Sequence, residues 1–247
     1  MEPQPGFLPD HEAVPREPVH TRHVVSRGYL RADGLWDIES EITDTKDYPM
    51  TNLDGRHVPV GEAVHRMQVR LTLDDAMKVH AAVSAMPGTP FPECPAAAAP
   101  VAGLVGATIG PGWRKTIDAA MGGVQGCTHL RELVAAMATV AFQTIPNYRK
   151  HQQRQLGLPD PNAGQPGHQF GKCLGWDPYG PVVARVAPKF IGFTRGAVKA
   201  EWWPGVPAGW CPRTPRSAVR GIASPRGIRF AHEWPLRSRR RGVRSRR

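Results

Sequence analysis

The chain is poor in cysteine, with four in 247 residues. Four scattered thiols are too few for the disulfide framework of a small secreted domain, so reduced cysteines and a cytoplasmic location are expected. The first twenty residues also lack the basic and apolar stretches of a secretory signal. Their proline and glutamate content predicts a disordered lead over residues 1–20.

Long apolar runs and phosphate-binding loops are also missing. The longest weakly polar stretch, 95–111, is interrupted by proline and is shorter than the roughly 20 apolar residues of a membrane span, so no membrane contact is expected. The glycine turn 106–112 lacks the Lys-Ser/Thr pair of a P-loop, and no GxGxxG follows a predicted strand. No reaction or substrate class follows from the motifs that remain.

Positive charge is concentrated at the C-terminal end. Residues 192–247 contain 14 Lys and Arg but only Glu201 and Glu233, whereas the rest of the chain holds 18 basic and 19 acidic residues. The formal net charge of +11 is therefore a property of the tail and not of the body.

Three interpretations of the Arg/Trp/Pro-rich tail, 191–247, stay open. It is a disordered solvated extension, an out-of-frame translation of a GC-rich gene, or a segment that contacts nucleic acid. Nucleic acid is expected only through this tail, by phosphate contacts and tryptophan stacking, and a protein partner of unknown kind stays open. The arginines that would make these contacts are Arg237, Arg239, Arg240, Arg241 and Arg244.

Hydrophobic periodicity predicts strands first and helices second. Alternating apolar residues predict strands at 24–30, 35–44, 65–73 and 78–85. Helical spacing follows at 96–105, 113–121 and, most clearly, 130–142. This order predicts an α+β fold, a three- to four-stranded antiparallel meander followed by helices packed on one face. The domain is expected over 21–190, with a long loop or linker at 146–171 and the disordered basic tail after it.

The meander brings certain polar residues to one end of the sheet, because antiparallel strands return to the same edge at every second turn. Asp44 ends the second strand, His65 begins the third, and the fourth ends before Cys94. These residues are therefore expected close together.

A glycine-rich turn then leads to Cys127 and His129 at the start of the most periodic helix, where Thr128 is the expected N-cap. The positive helix end favours a thiolate, the form that ligates metals or attacks substrates. The predicted ligands for Zn or Fe are therefore Cys94, Cys127, His129, His65 and Asp44. Each of these residues also has an ordinary structural interpretation. The cysteines are then small buried apolar residues, His65 is a core histidine, and Asp44 caps a turn.

Several motifs in order resemble a bacterial family catalogued as domain of unknown function 2889. They lie within residues 20–190 and are Gly34-Leu35-Trp36-Asp37-Ile38-Glu39, Thr43-Asp44-Thr45-Lys46, Ile109-Gly110-Pro111-Gly112-Trp113, Gly126-Cys127-Thr128-His129-Leu130 and Ala141-Phe142-Gln143-Thr144. The family name supplies no activity.

The order of strands, cysteine loop and helices is similar, more distantly, to the scaffold proteins of iron-sulfur cluster assembly. That resemblance implies that Cys94 and Cys127 match two cluster cysteines. The first cluster cysteine of those proteins corresponds to a position near Gly61-Glu62, where this chain has no cysteine. On that resemblance His65, Glu62 or Asp44 would replace it.

Three functions compete at this point. The first is a metal-binding or iron-sulfur scaffold-like accessory protein, with Zn or Fe as its cofactor. The second is a small-molecule enzyme with an activated Cys127 or a bound metal. The third is a non-catalytic binding module whose arginine tail contacts nucleic acid.

Overall fold

The computed structural model describes residues 16–160 and 164–193. Residues 1–15 of the predicted lead and the tail from residue 194 lie outside the described ranges. The predicted nucleic-acid contacts lie outside them as well, namely Arg237, Arg239, Arg240, Arg241 and Arg244.

The strands of the described residues are β1 (His20–Leu30), β2 (Trp36–Lys46), β3 (Met50–Thr51), β4 (His57–Val58), β5 (Ala63–Leu73) and β6 (Val79–Gly88). Four of them form an antiparallel sheet that dominates the described part of the chain, with strand order β1-β2-β5-β6. A separate two-stranded hairpin, β3-β4, lies in the connection between β2 and β5.

Helices follow the sheet in the chain. The helices of the described residues are a 3₁₀ helix (Cys94–Leu104), α1 (Trp113–Met121), α2 (Thr128–Gln155), α3 (Pro181–Val186) and one-turn 3₁₀ segments at Gly123–Gln125, Leu174–Trp176 and Pro188–Phe190. The predicted α+β fold is confirmed, with helices on one face of an antiparallel sheet. No helix in the described ranges has both the length and the apolar content needed to cross a membrane.

The core lies between the inner face of the sheet and the helices. Every second residue is buried from Trp36 to Asp44 in β2 and from Met67 to Leu73 in β5, as period-2 alternation requires. Helix α2 presents a stripe at i, i+3 and i+4 spacing to the same core. The buried residues of that stripe are Leu130, Leu133, Val134, Met137, Ala141 and Ile145.

Two helices differ from the prediction. Helix α2 passes through Pro146 and ends at Gln155, so the loop predicted at 146–171 begins later. The segment predicted as a helix at 96–105 is a 3₁₀ helix with Pro100 inside it. Proline has no N–H to donate, which explains the absence of a regular α-helix there.

Candidate metal centre

Asp44 is a carboxylate buried at the end of β2, with 2% of its surface exposed. It continues the inward-facing side of β2, after Ile42, and lies opposite His65 of β5. A register shift between Asp44 and Thr45 then interrupts the pairing with β5. Because a buried carboxylate is strongly destabilised without partners, the groups around Asp44 decide what this position does.

Arg22 is the closest partner of Asp44 and lies opposite it on β1. Its Nε donates to Oδ1 at 2.6 Å and its Nη2 donates to Oδ2 at 2.8 Å. Burial by itself would favour the neutral carboxyl group, but the hydrogen bonds and charge of Arg22 outweigh it, so the pKa of Asp44 lies below its ordinary value. Asp44 is therefore ionised at neutral pH.

Two histidines face the same oxygen of Asp44. His65 Nδ1 lies 3.2 Å from Oδ2, and His129 Nε2 lies 3.7 Å from it. The two imidazole rings lie against each other, with centroids 4.2 Å apart. One ligand atom from each of the three residues lies within 4.8 Å of the others.

Both imidazoles are arranged to be neutral. Burial is the largest cause that lowers the pKa of His65, and the neighbouring His129 adds to it. Burial is also the largest cause that lowers the pKa of His129, followed by the charge of Arg22. The carboxylate of Asp44 opposes both shifts but does not reverse them. A neutral imidazole keeps one nitrogen lone pair, which is the form that binds metals.

The start of α2 is set by a tight connection from α1. A side chain at Gly126 would collide with the Met121 carbonyl, so glycine is needed where the chain turns toward the sheet. Cys127 occupies the N-cap position, and Thr128, the expected cap, is the first residue of the helix. His129 is thereby placed in the first turn, where it reaches Asp44.

Cys127 lies beside His129, one of the two histidines that face Asp44. Its Sγ lies 3.6 Å from His129 Nδ1 and 3.7 Å from the sulfur of Met67. The other ring nitrogen of His129, Nε2, is the one that faces Asp44. Cys127 therefore lies against a candidate ligand on the ring edge away from Asp44.

Asp44, His65 and His129 are the three predicted ligands that the structure brings together. Cys127 adjoins them through His129 but is not part of the three-residue cluster. Cys94 begins the 3₁₀ helix and is not in the cluster either. Metal binding by any of the five residues stays a prediction.

Arg22 and His20 also surround Asp44, and the sequence prediction missed both because it began β1 at Val24. His20 Nε2 lies 3.6 Å from Asp44 Oδ1. Extending the alternation of β1 backwards would have put positions 20 and 22 on one face of the strand, although it would not have given their distance from Asp44.

A family model described as "Protein of unknown function (DUF2889)" matches residues 20–143. The chain belongs to this family. The matched range contains every residue of the cluster and ends within α2. A search of the curated proteins and a search of the solved structures each found no match. The likeness to iron-sulfur scaffold proteins stays a prediction.

Proposed function

We propose that this protein binds one divalent metal ion, Zn²⁺ or Fe²⁺, through Asp44, His65 and His129. The observation that supports this is the convergence of three ligand atoms within 4.8 Å of one another. Ligand atoms on an ion with bonds of about 2.0 Å lie roughly 3.3 Å apart in a tetrahedron. The distances of 3.2 and 3.7 Å from Asp44 Oδ2 to the two histidine nitrogens are close to that value.

Asp44 has room for an ion beside its arginine. An ionised carboxylate offers about four lone-pair positions. Arg22 uses one on each oxygen, which leaves a position on Oδ2, the oxygen that both histidines face. Ligating carboxylates are commonly held by outer hydrogen bonds of this kind, so Arg22 orients Asp44 toward the ion.

The donor types favour a single ion over an iron-sulfur cluster. Two imidazoles and one carboxylate suit Zn²⁺ or Fe²⁺, whereas iron-sulfur clusters are held chiefly by cysteine thiolates. The three-residue cluster contains no cysteine. We therefore assign Cys127 the role of a group that positions His129, and we leave its use as a nucleophile as a prediction from the sequence.

Metal content of the full-length chain tests the proposal. The wild type, purified anaerobically and reconstituted with Zn²⁺ or Fe²⁺, is expected to hold about one ion per chain by elemental analysis. His65→Gln and His129→Gln are expected to lose it, because each removes one of three ligands. A wild type that never retains an ion would contradict the proposal and leave the cluster as an ion-pair network around a buried carboxylate.

His80→Gln is the matched control. His80 Nε2 also lies beside a carboxylate, 2.8 Å from Asp74 Oδ2, but this pair is at the opposite end of the sheet. The metal content of His80→Gln should equal that of the wild type. Cys127→Ser should keep the ion but bind it about tenfold more weakly, as an outer group does. Complete loss of metal in Cys127→Ser would instead favour the sequence prediction that this thiol is a ligand.

A further inference from the structure

The three-residue cluster leaves part of an ion's coordination shell unfilled. In the described part of the chain, the cluster of metal-ligating side chains consists of Asp44, His65 and His129. A Zn²⁺ ion with three protein ligands keeps its fourth position for a water molecule or another small ligand. Fe²⁺ held by two histidines and one carboxylate also keeps open positions. The ion of the proposed function is therefore open to a ligand from outside the chain.

The open position can be reached from solvent. The side chains of His65 and His129 are 20% and 23% exposed, although the carboxylate of Asp44 that both face is 2% exposed. Arg22, on the other side of Asp44, is 42% exposed. A small molecule can therefore approach past the imidazole rings and the arginine without opening the core.

Arg22 lies within reach of a ligand on the ion. Its Nη2 donates to Asp44 Oδ2 at 2.8 Å, and Oδ2 is the oxygen that both histidines face. An ion bonded to Oδ2 at about 2.0 Å would lie no more than about 5 Å from Nη2. The two hydrogen bonds to Asp44 leave further N–H donors on the guanidinium. A group of a few atoms is long enough to contact both the ion and these donors.

The charges of the loaded site favour an anion. A divalent ion brings two positive charges and Arg22 brings a third, whereas Asp44 is the one carboxylate of the cluster and histidines ligate as neutral imidazoles. An excess of positive charge in partly buried surroundings is costly unless an opposite charge lies close to it. An anion between the ion and the guanidinium would supply that charge.

We infer that the ion and Arg22 together bind a small oxyanion, a ligand with a carboxylate or phosphate group, and this inference rests on the proposed function. One oxygen would occupy the open position of the ion. A second oxygen would accept hydrogen bonds from the guanidinium, whose planar fork matches carboxylate and phosphate groups. Arg22 therefore both orients Asp44 and selects the outside ligand.

Co²⁺ bound to the full-length chain tests this inference, because its visible absorption changes with the number and type of its ligands. The Co²⁺-loaded protein is titrated with acetate and, separately, with inorganic phosphate, and chloride at the same ionic strength is the reference. Arg22→Lys keeps the positive charge beside Asp44 but removes the forked donors. Arg70→Lys is the matched control, because Arg70 faces Glu39 on the outer side of the sheet. The Co²⁺ spectrum of Arg22→Lys before any anion is added shows whether its site is intact.

The expected result is a saturable spectral change with at least one of the two oxyanions, and none with chloride. Arg22→Lys should bind the oxyanion about tenfold more weakly, the usual effect of losing a charge-assisted hydrogen bond, while Arg70→Lys matches the wild type. The oxyanion that binds more tightly identifies the ligand group as carboxylate or phosphate.

Two results would overturn the inference and leave the three-ligand proposal standing. The first is a Co²⁺ spectrum that neither oxyanion changes. The second is equal oxyanion affinity in Arg22→Lys and the wild type, which would show that the ion binds the anion without the arginine. A wild type that binds neither Co²⁺ nor Zn²⁺ would overturn both proposals.

Discussion

The residue that organises this end of the molecule is Asp44, because its buried negative charge needs a permanent counter-charge. Arg22 supplies that charge through two hydrogen bonds. A metal ion at the three-residue cluster would be a second cation on the same carboxylate. Arg22 therefore has two opposing effects on an ion, since it orients the ligand and repels the positive charge.

Arg22→Gln separates these effects. Without the ion, the free energy of unfolding should fall by about 2–3 kcal/mol, because a buried carboxylate loses its charged partner. Zn²⁺ should then stabilise the variant more than the wild type, since the ion becomes the main counter-charge of Asp44. Urea unfolding in a chelator and in Zn²⁺ measures both quantities.

Arg70→Gln is the control for Arg22→Gln. The pair between Arg70 and Glu39 is exposed on both sides and 3.8 Å long, so its loss should cost less than about 1 kcal/mol and leave the effect of Zn²⁺ unchanged. An equal gain from Zn²⁺ in the wild type and Arg22→Gln would contradict the expectation that the ion takes over as the main counter-charge of Asp44.

The sequence predicted Asp44 and His65 as neighbours because antiparallel connectivity alone sets which strand ends meet. The place of Cys127 relative to the site was harder to predict, because the direction of its side chain depends on the conformation of the N-cap. The N-cap lies one residue earlier than expected. His20 and Arg22 were missed because β1 is largely exposed and its N-terminal half shows little apolar alternation. Their role comes from a cross-strand partner, which local pattern does not reveal.

At the scale of elements, the length of α2 was the main error. Pro146 predicts a helix end, because its ring removes one backbone hydrogen bond. The helix continues because Ile145 is buried and because Arg149, one turn further on, donates to Asp75 and to the Gly34 carbonyl. These contacts with two turns of the sheet thus outweigh the tendency of Pro146 to end the helix. The periodicity of apolar residues does not reveal them.

The crossing of α2 over β1 depends on Gly28. A Cβ at this position would overlap the side chain of Thr144. Gly28→Ala is therefore expected to displace the helix and lower the free energy of unfolding by about 1–3 kcal/mol, the usual cost of overpacking. Thermal or urea unfolding measures the loss.

Gly110→Ala is the control for the crossing, because a Cβ there meets nothing within 4 Å. Adding Thr144→Gly to Gly28→Ala should recover part of the loss, less the roughly 1 kcal/mol that glycine costs inside a helix. A double variant no more stable than Gly28→Ala would contradict this account of the crossing.

In the whole molecule, the net positive charge comes from a segment outside the described residues. Residues 194–247 carry 14 Lys and Arg against Glu201 and Glu233, and they lie outside the described residues. The rest of the chain has 18 basic and 19 acidic residues. A nearly neutral domain has little long-range attraction for nucleic acid, so such binding would belong to the basic segment.

Deleting residues 194–247 should therefore abolish any salt-dependent binding to nucleic acid and leave Zn²⁺ affinity unchanged. Fluorescence anisotropy with labelled DNA over a range of salt concentrations measures the first, and chelator competition the second. Equal DNA binding with the same salt slope before and after deletion would contradict the nucleic-acid interpretation of the tail.

Two well-separated polar contacts join helix α2 to the sheet. His129 lies beside Asp44 near the start of the helix, and Arg149 pairs with Asp75 near its C-terminal end. Removing an ion would affect only the first of these, where Arg22 still pairs with Asp44. The molecule should then keep its shape when stripped by a chelator and reload within the same fold, unlike a zinc finger, which unfolds without its metal. Loading and release of an ion would then be reversible within a single folded state, so metal content and folding would vary independently.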